Sequence, residues 1–174
     1  MSKTAIFFGP LNGSVNRVAD KLKNLIGEDK VVMIPVNSAS VADIEKYDKI
    51  IFGISTVGKD TWKSTYSNVD WAEFLPEISK TTYEGKKIAI FGLGDHITYA
   101  ATFVDHIAVL ARELIDNGAI LSGQVDADEY EFDESESVVD GKFLGLPVDE
   151  DFEPELTDER LEKWVKQIST DFGW

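Results

Sequence analysis

Four short apolar runs limit what this chain can become. Ala5-Ile6-Phe7-Phe8, Val31 to Val36, Ile50-Ile51-Phe52-Gly53-Ile54 and Ile88-Ala89-Ile90-Phe91 contain no polar side chain. A strand wetted on one face alternates apolar and polar residues, whereas a strand covered on both faces does not. Helical patterns lie between the runs. Val15, Val18, Ala19, Leu22, Leu25 and Ile26 share one face, and Gly27 follows as a stop. Val104, Ile107, Leu110 and Leu114 repeat the spacing over 100–116, closed by Asn117-Gly118. Strands alternating with helices predict a parallel sheet covered on both sides.

The remaining segments fit this plan. Ser40 is placed to cap a short helix running to Lys46. Trp71, Phe74, Leu75 and Ile78 predict another, limited by Pro76. Ala119 to Val125 reads as a fifth strand, and Phe143 to Val148 as strand again after an acidic, Gly/Ser-punctuated stretch at 126–142. Thr157 opens a last helix, with Asp158 and Glu159 near its positive end. Its buried stripe is Leu161, Trp164, Val165 and Ile168. No repeat or linker interrupts the 174 residues, so a single domain over 1–174 is expected.

Composition removes several chemistries. There is no cysteine, which excludes disulfides, thiol nucleophiles and cysteine-held iron–sulfur clusters. His96 and His106 are the two histidines, too few for a multi-histidine zinc site. A net charge of −15 repels nucleic acid and anionic membranes and favours basic partners. No apolar segment reaches 18 residues, and no signal-peptide pattern opens the chain, so a cytoplasmic protein is expected. Gly-x-Ser-x-Gly, Gly-x-Gly-x-x-Gly and Gly-Lys-Ser/Thr motifs are all missing.

Three turns remain as candidate chemistry: 9–14, 55–70 and 92–99. In open parallel sheets, ligands bind where such turns leave the carboxyl ends of the strands. The first opens a helix whose free amides and dipole suit a phosphate. The third, Phe91-Gly92-Leu93-Gly94-Asp95-His96-Ile97-Thr98-Tyr99, joins close backbone approach to an aromatic face. His96 within it is expected to face solvent.

The chain resembles the flavodoxins of the long-chain group over nearly its whole length. Phe91-Gly92-Leu93-Gly94-Asp95 followed by Tyr99-Ala100 is similar to the family's flavin-wrapping segment. Gly141 through Asp151, then Leu156-Thr157-Asp158-Glu159-Arg160 and Trp164-Val165, are similar to its carboxyl-terminal signature. The resemblance implies an α/β, flavodoxin-like three-layer sandwich. Its five-stranded parallel sheet would have order 2-1-3-4-5, with an insertion splitting the fifth strand. It implies a non-covalent FMN and a low-potential, one-electron carrier rather than an enzyme. The implied partners are basic-surfaced redox proteins, such as a flavodoxin or ferredoxin reductase and low-potential donor and acceptor enzymes, met by a monomer. An FMN-dependent quinone oxidoreductase, or a domain that has lost FMN, is the alternative.

By the same resemblance, Gly9, Pro10, Leu11, Asn12, Gly13, Ser14, Val15 and Asn16 form the phosphate loop. Pro10, Asn12 and Val15 stand where the family has threonines, and Pro10 and Val15 offer no side-chain donor. Leu93, Gly94, Asp95 and Tyr99 match the second ring-binding turn, with Tyr99 stacked on the flavin. The first ring-binding loop admits two alignments. One matches Thr61-Trp62 to the family's Thr-Trp step, with Trp71 at the family's spacing; it is favoured and makes Trp62 the second ring cover. The other sets Ser55, Thr56, Val57 and Gly58 at the ring, with Val57 replacing the usual aromatic. Gly58, or the peptide beside Trp62, is the implied redox-linked hinge. Asp95, Asp149 and Asp151 are candidates for negative charge near the ring, with Asp151 also a cofactor contact; Asp149 and Asp151 read equally as solvated loop residues.

Overall fold

The apolar runs form strands β1 (Thr4–Phe8), β2 (Val31–Pro35), β3 (Lys49–Ser55) and β4 (Lys87–Leu93). The structure, a computed structural model, describes residues 2–55 and 69–174. All pairings among these strands are parallel, and with β5 (Leu121–Ser122) the order is β2-β1-β3-β4-β5. All five residues of β1 are buried, as a sheet covered on both faces requires. The helices are α1 (Ser14–Ile26), α2 (Val41–Glu45), α3 (Val69–Ile78), α4 (Asp105–Asp116) and α5 (Thr157–Phe172). α1 packs beside α5, and α3 beside α4. No helix among the described residues is long and apolar enough to cross a membrane.

Side-chain fit fixes the register at the centre. A Cβ on Gly53 would lie 2.2 Å from Cζ of Phe91, its partner across the β3–β4 ladder. A Cβ on Gly92 would lie 2.5 Å from Cγ1 of Ile107 in α4. Phe7, Phe52, Trp71 and Phe74 form an aromatic cluster with ring centroids 5.5–6.1 Å apart. Pro76 lies inside α3, near its end, where few intrahelical bonds remain to be lost. Gly27 ends α1 at φ 123° and donates its N–H to the Lys23 carbonyl.

Three expectations need correction. The helix expected over 100–116 begins at Asp105. Val104 precedes it in a left-handed conformation (φ 48°), and the Ala100 carbonyl accepts the amides of Asp133 and Glu134 at 2.8 and 2.9 Å. That stretch of backbone is held from outside and does not coil. The strand expected over 119–125 breaks at Gly123 (φ 82°), where a Cβ would meet the Trp164 ring nitrogen at 2.5 Å. Leu121–Ser122 pairs with Ile88–Ala89, whereas Val125–Asp126 (β6) joins a small antiparallel sheet with β7 (Val138–Val139) and β8 (Lys142–Phe143). The run from Phe143 to Val148 likewise divides: Phe143 stays in that small sheet, and β9 (Leu146–Val148) lies parallel to Phe91–Leu93 of β4. Gly145 separates the two, because a Cβ there would lie 2.4 Å from the Ile90 carbonyl oxygen.

The segment at 133–137 also completes α4. Val104 caps that helix without a side-chain hydrogen bond. Fully buried Ser137 takes over: its Oγ donates to the Val104 carbonyl at 2.6 Å and accepts the Ala108 amide at 2.9 Å. Ser137→Ala therefore removes a cap supplied from a distant segment and should cost about 0.5–2 kcal/mol. A lowered urea midpoint with unchanged m-value is the expected result; an unchanged midpoint would contradict it.

Candidate functional site

Because β1, β3, β4 and β9 run parallel, their carboxyl ends share one edge of the sheet. Phe8 lies opposite Gly53, Ser55 opposite Leu93, and Leu93 opposite Val148. The connections leaving that edge carry the residues singled out above.

After β1, the Gly9 amide donates to the Gly53 carbonyl at 3.4 Å, and Trp71 Nε1 reaches the same oxygen at 2.9 Å. A Cβ on Gly9 would lie 2.6 Å from Cγ2 of Val36, so a side chain there must push the wall back. Asn12 adopts φ 62° and donates its amide to Asn16 Oδ1 at 3.0 Å. Ser14 Oγ accepts from Arg17 Nη2 at 2.7 Å. Val15 is buried in the core, and Leu11 is exposed. Among the described residues, the amides of Ser14, Val15 and Asn16 meet no acceptor, as the first turn of a helix dictates. That turn also carries no acid, whereas the first turns of α2, α3, α4 and α5 all do. In a chain of charge −15, a first turn free of acid suits the positive end of α1 to an anion.

After β4, the Gly94 amide donates to the Val148 carbonyl at 3.0 Å. Asp95 Oδ1 accepts the amides of Ile97 and Thr98 at 2.9 and 2.8 Å, which folds the turn onto its own side chain. Tyr99 donates its amide to the Asp95 carbonyl at 3.2 Å and keeps a half-buried ring. Leu93 is buried at the end of its strand. Ser55 ends β3 and its backbone hydrogen-bonds His106 of α4, whose imidazole burial drives down to about 4, against the opposing pull of that bond. Thr56, Val57, Gly58, Thr61 and Trp62 lie outside the described residues, as does the choice between Trp62 and Val57.

The connection after β9 holds what the sequence did not reveal. Asp149 is a fully buried carboxylate that accepts four N–H donors. Its Oδ2 takes the His96 amide at 3.1 Å and also contacts His96 Nδ1; its Oδ1 takes the amides of Asp151 and Phe152 at 2.9 and 2.8 Å. Burial pushes this carboxyl up, but the His96 side chain and the three amides outweigh it and hold it below the usual range. Asp149 is thus a structural junction and not a solvated loop residue, and His96 is mostly enclosed rather than facing solvent. Asp151 stays at the rim, pushed up by burial and by Asp149, Asp95 and Glu150. Thr157 does not cap α5 through its side chain; its hydroxyl donates to Glu150 at 2.7 Å. The one available signal for the junction was an acid directly following the buried run Leu146-Pro147-Val148.

Known proteins resemble this chain over nearly its whole length. A family model described as flavodoxin matches residues 6–164. The flavodoxin of Trichodesmium erythraeum is 37% identical over 175 residues, covering 99% of each chain. Flavodoxin 1 of Azotobacter vinelandii is 38% identical over 176 residues, covering 99% of this chain and 98% of its own. Among solved structures, Fusobacterium nucleatum flavodoxin bound to flavin mononucleotide superposes with a TM-score of 0.87 at 24% identity, over 99% of both chains.

The acid limb of stability follows from Asp149. A carboxylate held below its ordinary value of 3.8 contributes stability that is present above that value and lost as pH falls through the lower folded value. Asp149→Asn places an amide donor among N–H donors and should cost about 1–3 kcal/mol near neutral pH. The penalty should shrink as pH falls below the carboxyl's ordinary value of 3.8. Urea melts of both proteins across pH check this, and a penalty independent of pH would contradict it.

Proposed function

The chain belongs to the flavodoxin family, and on that premise we propose that it holds FMN without a covalent bond at this sheet edge and carries single electrons between redox proteins at low potential. The supporting observation is the acid-free amino end of α1, which lies at the same edge as the half-buried ring of Tyr99. The residues fit the group. The amides of Ser14, Val15 and Asn16, with the side chains of Asn12, Ser14 and Asn16, suit a phosphate, and Gly9 and Gly13 keep the loop's frame. Leu11 and Pro10 shape that loop, and neither Pro10 nor Val15 adds a side-chain donor. Leu93, Gly94 and Asp95 offer backbone and Tyr99 a flat face for the ring. Ser55, Thr56, Val57 and Gly58, or Thr61 and Trp62, supply its other cover.

FMN, when bound, supplies a centre that takes up one or two electrons. The protein's contribution is to position it, exclude water and set the local field. Asp95 and Asp151 place negative charge at the rim. At an effective dielectric of about 20, one charge about 8 Å away is worth roughly 2 kcal/mol. Such charges oppose an added electron and draw the couple to low potential. The same acidity suits brief encounters with basic-surfaced redox proteins, such as a reductase or a low-potential acceptor, of the kind that salt weakens.

Stepwise reduction of the FMN-loaded protein, followed by absorbance, tests this reading. Two spectrally separate one-electron steps are expected. A single two-electron step, joined to NADH or NADPH oxidation by the isolated protein, would replace the carrier with an oxidoreductase. Failure to retain FMN through gel filtration would remove the cofactor.

A further inference from the structure

The Asp149 junction extends beyond one carboxylate. His96 Nδ1 lies 3.7 Å from Glu153 Oε1 as well as against Asp149. Glu153 holds Arg160 Nη2 of α5 at 3.0 Å. The Arg160 guanidinium sits 4.3 Å over the Tyr130 ring, and the Tyr130 hydroxyl donates to the Pro147 carbonyl at 2.7 Å. A continuous polar chain therefore joins the 94–99 turn to α5 and back to β9. The imidazole itself meets Phe103 and Phe152 edge-on at 6.4 and 6.3 Å, and only 12% of its side chain is exposed.

The charges around this imidazole are nearly all negative. Asp149 and Glu153 face it from the segment before α5. Asp95 belongs to its own turn, Glu150 and Asp151 flank Asp149, and the Arg160 cation of α5 is engaged by Glu153. A neutral imidazole donates to Asp149 through Nδ1; a protonated one becomes a cation between two carboxylates, one of them fully buried. The bond to the Asp149 carboxylate is charge-assisted in either state, and protonation adds a direct ion-pair attraction to both acids.

We propose that His96 is a positioning residue whose proton sets how firmly the 94–99 turn is held for FMN. The protonated imidazole grips Asp149 and Glu153 and keeps the turn in its binding shape; loss of the proton loosens that grip. This rests on the FMN-binding role proposed above. Protonation favours the clamped turn, so FMN binds more tightly while the imidazole carries its second proton and less tightly once that proton is lost. Asp149 keeps its charge throughout, because its hydrogen bonds hold it below the usual carboxylate range. His106, driven by burial to about 4, is neutral between pH 5.5 and 8.5 and adds no slope of its own.

The test compares FMN dissociation constants of the wild type, His96→Gln and Glu153→Gln between pH 5.5 and 8.5. Histidine resonances of the wild-type apoprotein are followed by NMR with and without FMN. Titration of the FMN phosphate is common to all three proteins and cancels in their ratios. Relative to His96→Gln, which keeps a donor but no charge, the wild-type constant should rise about fivefold or more across the range. Glu153→Gln should fall between them. By reciprocity, FMN should shift the His96 titration to higher pH. Equal pH profiles for wild type and His96→Gln, or a His96 titration that FMN does not move, would overturn the inference while leaving FMN binding intact. A wild type that binds no FMN would remove the proposed function and this inference with it.

Discussion

The ladder between β3 and β4 is the constraint on which the rest depends. Seven parallel pairs carry Lys49 opposite Lys87 through to Ser55 opposite Leu93. A slip of one residue would turn every side chain of a strand to the wrong face. Gly53 and Phe91 prevent it, since the phenyl ring fills the space that any Cβ at 53 would need. With the register locked, the ends of both strands and the start of the 94–99 turn are fixed at one edge. β9 then continues the edge, and β1 adds the helix amino end from the other side.

That edge is electrically lopsided. α1 brings a first turn that carries no acid and whose amides, among the described residues, are unmatched. Across from it, Asp95, Asp149, Glu150 and Asp151 concentrate negative charge. An anionic tail is welcomed on one side, and additional negative charge is resisted on the other. The burial of Asp149 keeps this arrangement stable, because its charge is spent on four N–H donors that bind two connections together.

The strands were legible because their apolar runs leave a single option, burial on both faces, and α1 because its apolar face ends at a glycine with φ 123°. What escaped the sequence depended on distant partners. The start of α4 is set by Asp133, Glu134 and Ser137, which hold backbone that spacing alone would wind into helix. The edge beyond β4 is set by Gly123 and Gly145, whose contacts with Trp164 and Ile90 no local pattern announces. His96 looked solitary because its partner lies 53 positions away. Of the candidate site, the turns at 9–14 and 92–99 stood out by glycine placement and one aromatic, while the roles of their residues rest on the family resemblance. The junction that steadies them was not.

A crystal structure grown with excess FMN decides whether the cofactor lies at this sheet edge. Phosphate oxygens are expected within hydrogen-bonding distance of the Ser14, Val15 and Asn16 amides, with an isoalloxazine lying against Tyr99. A crevice left empty, or filled by neighbouring side chains despite the excess cofactor, would contradict it.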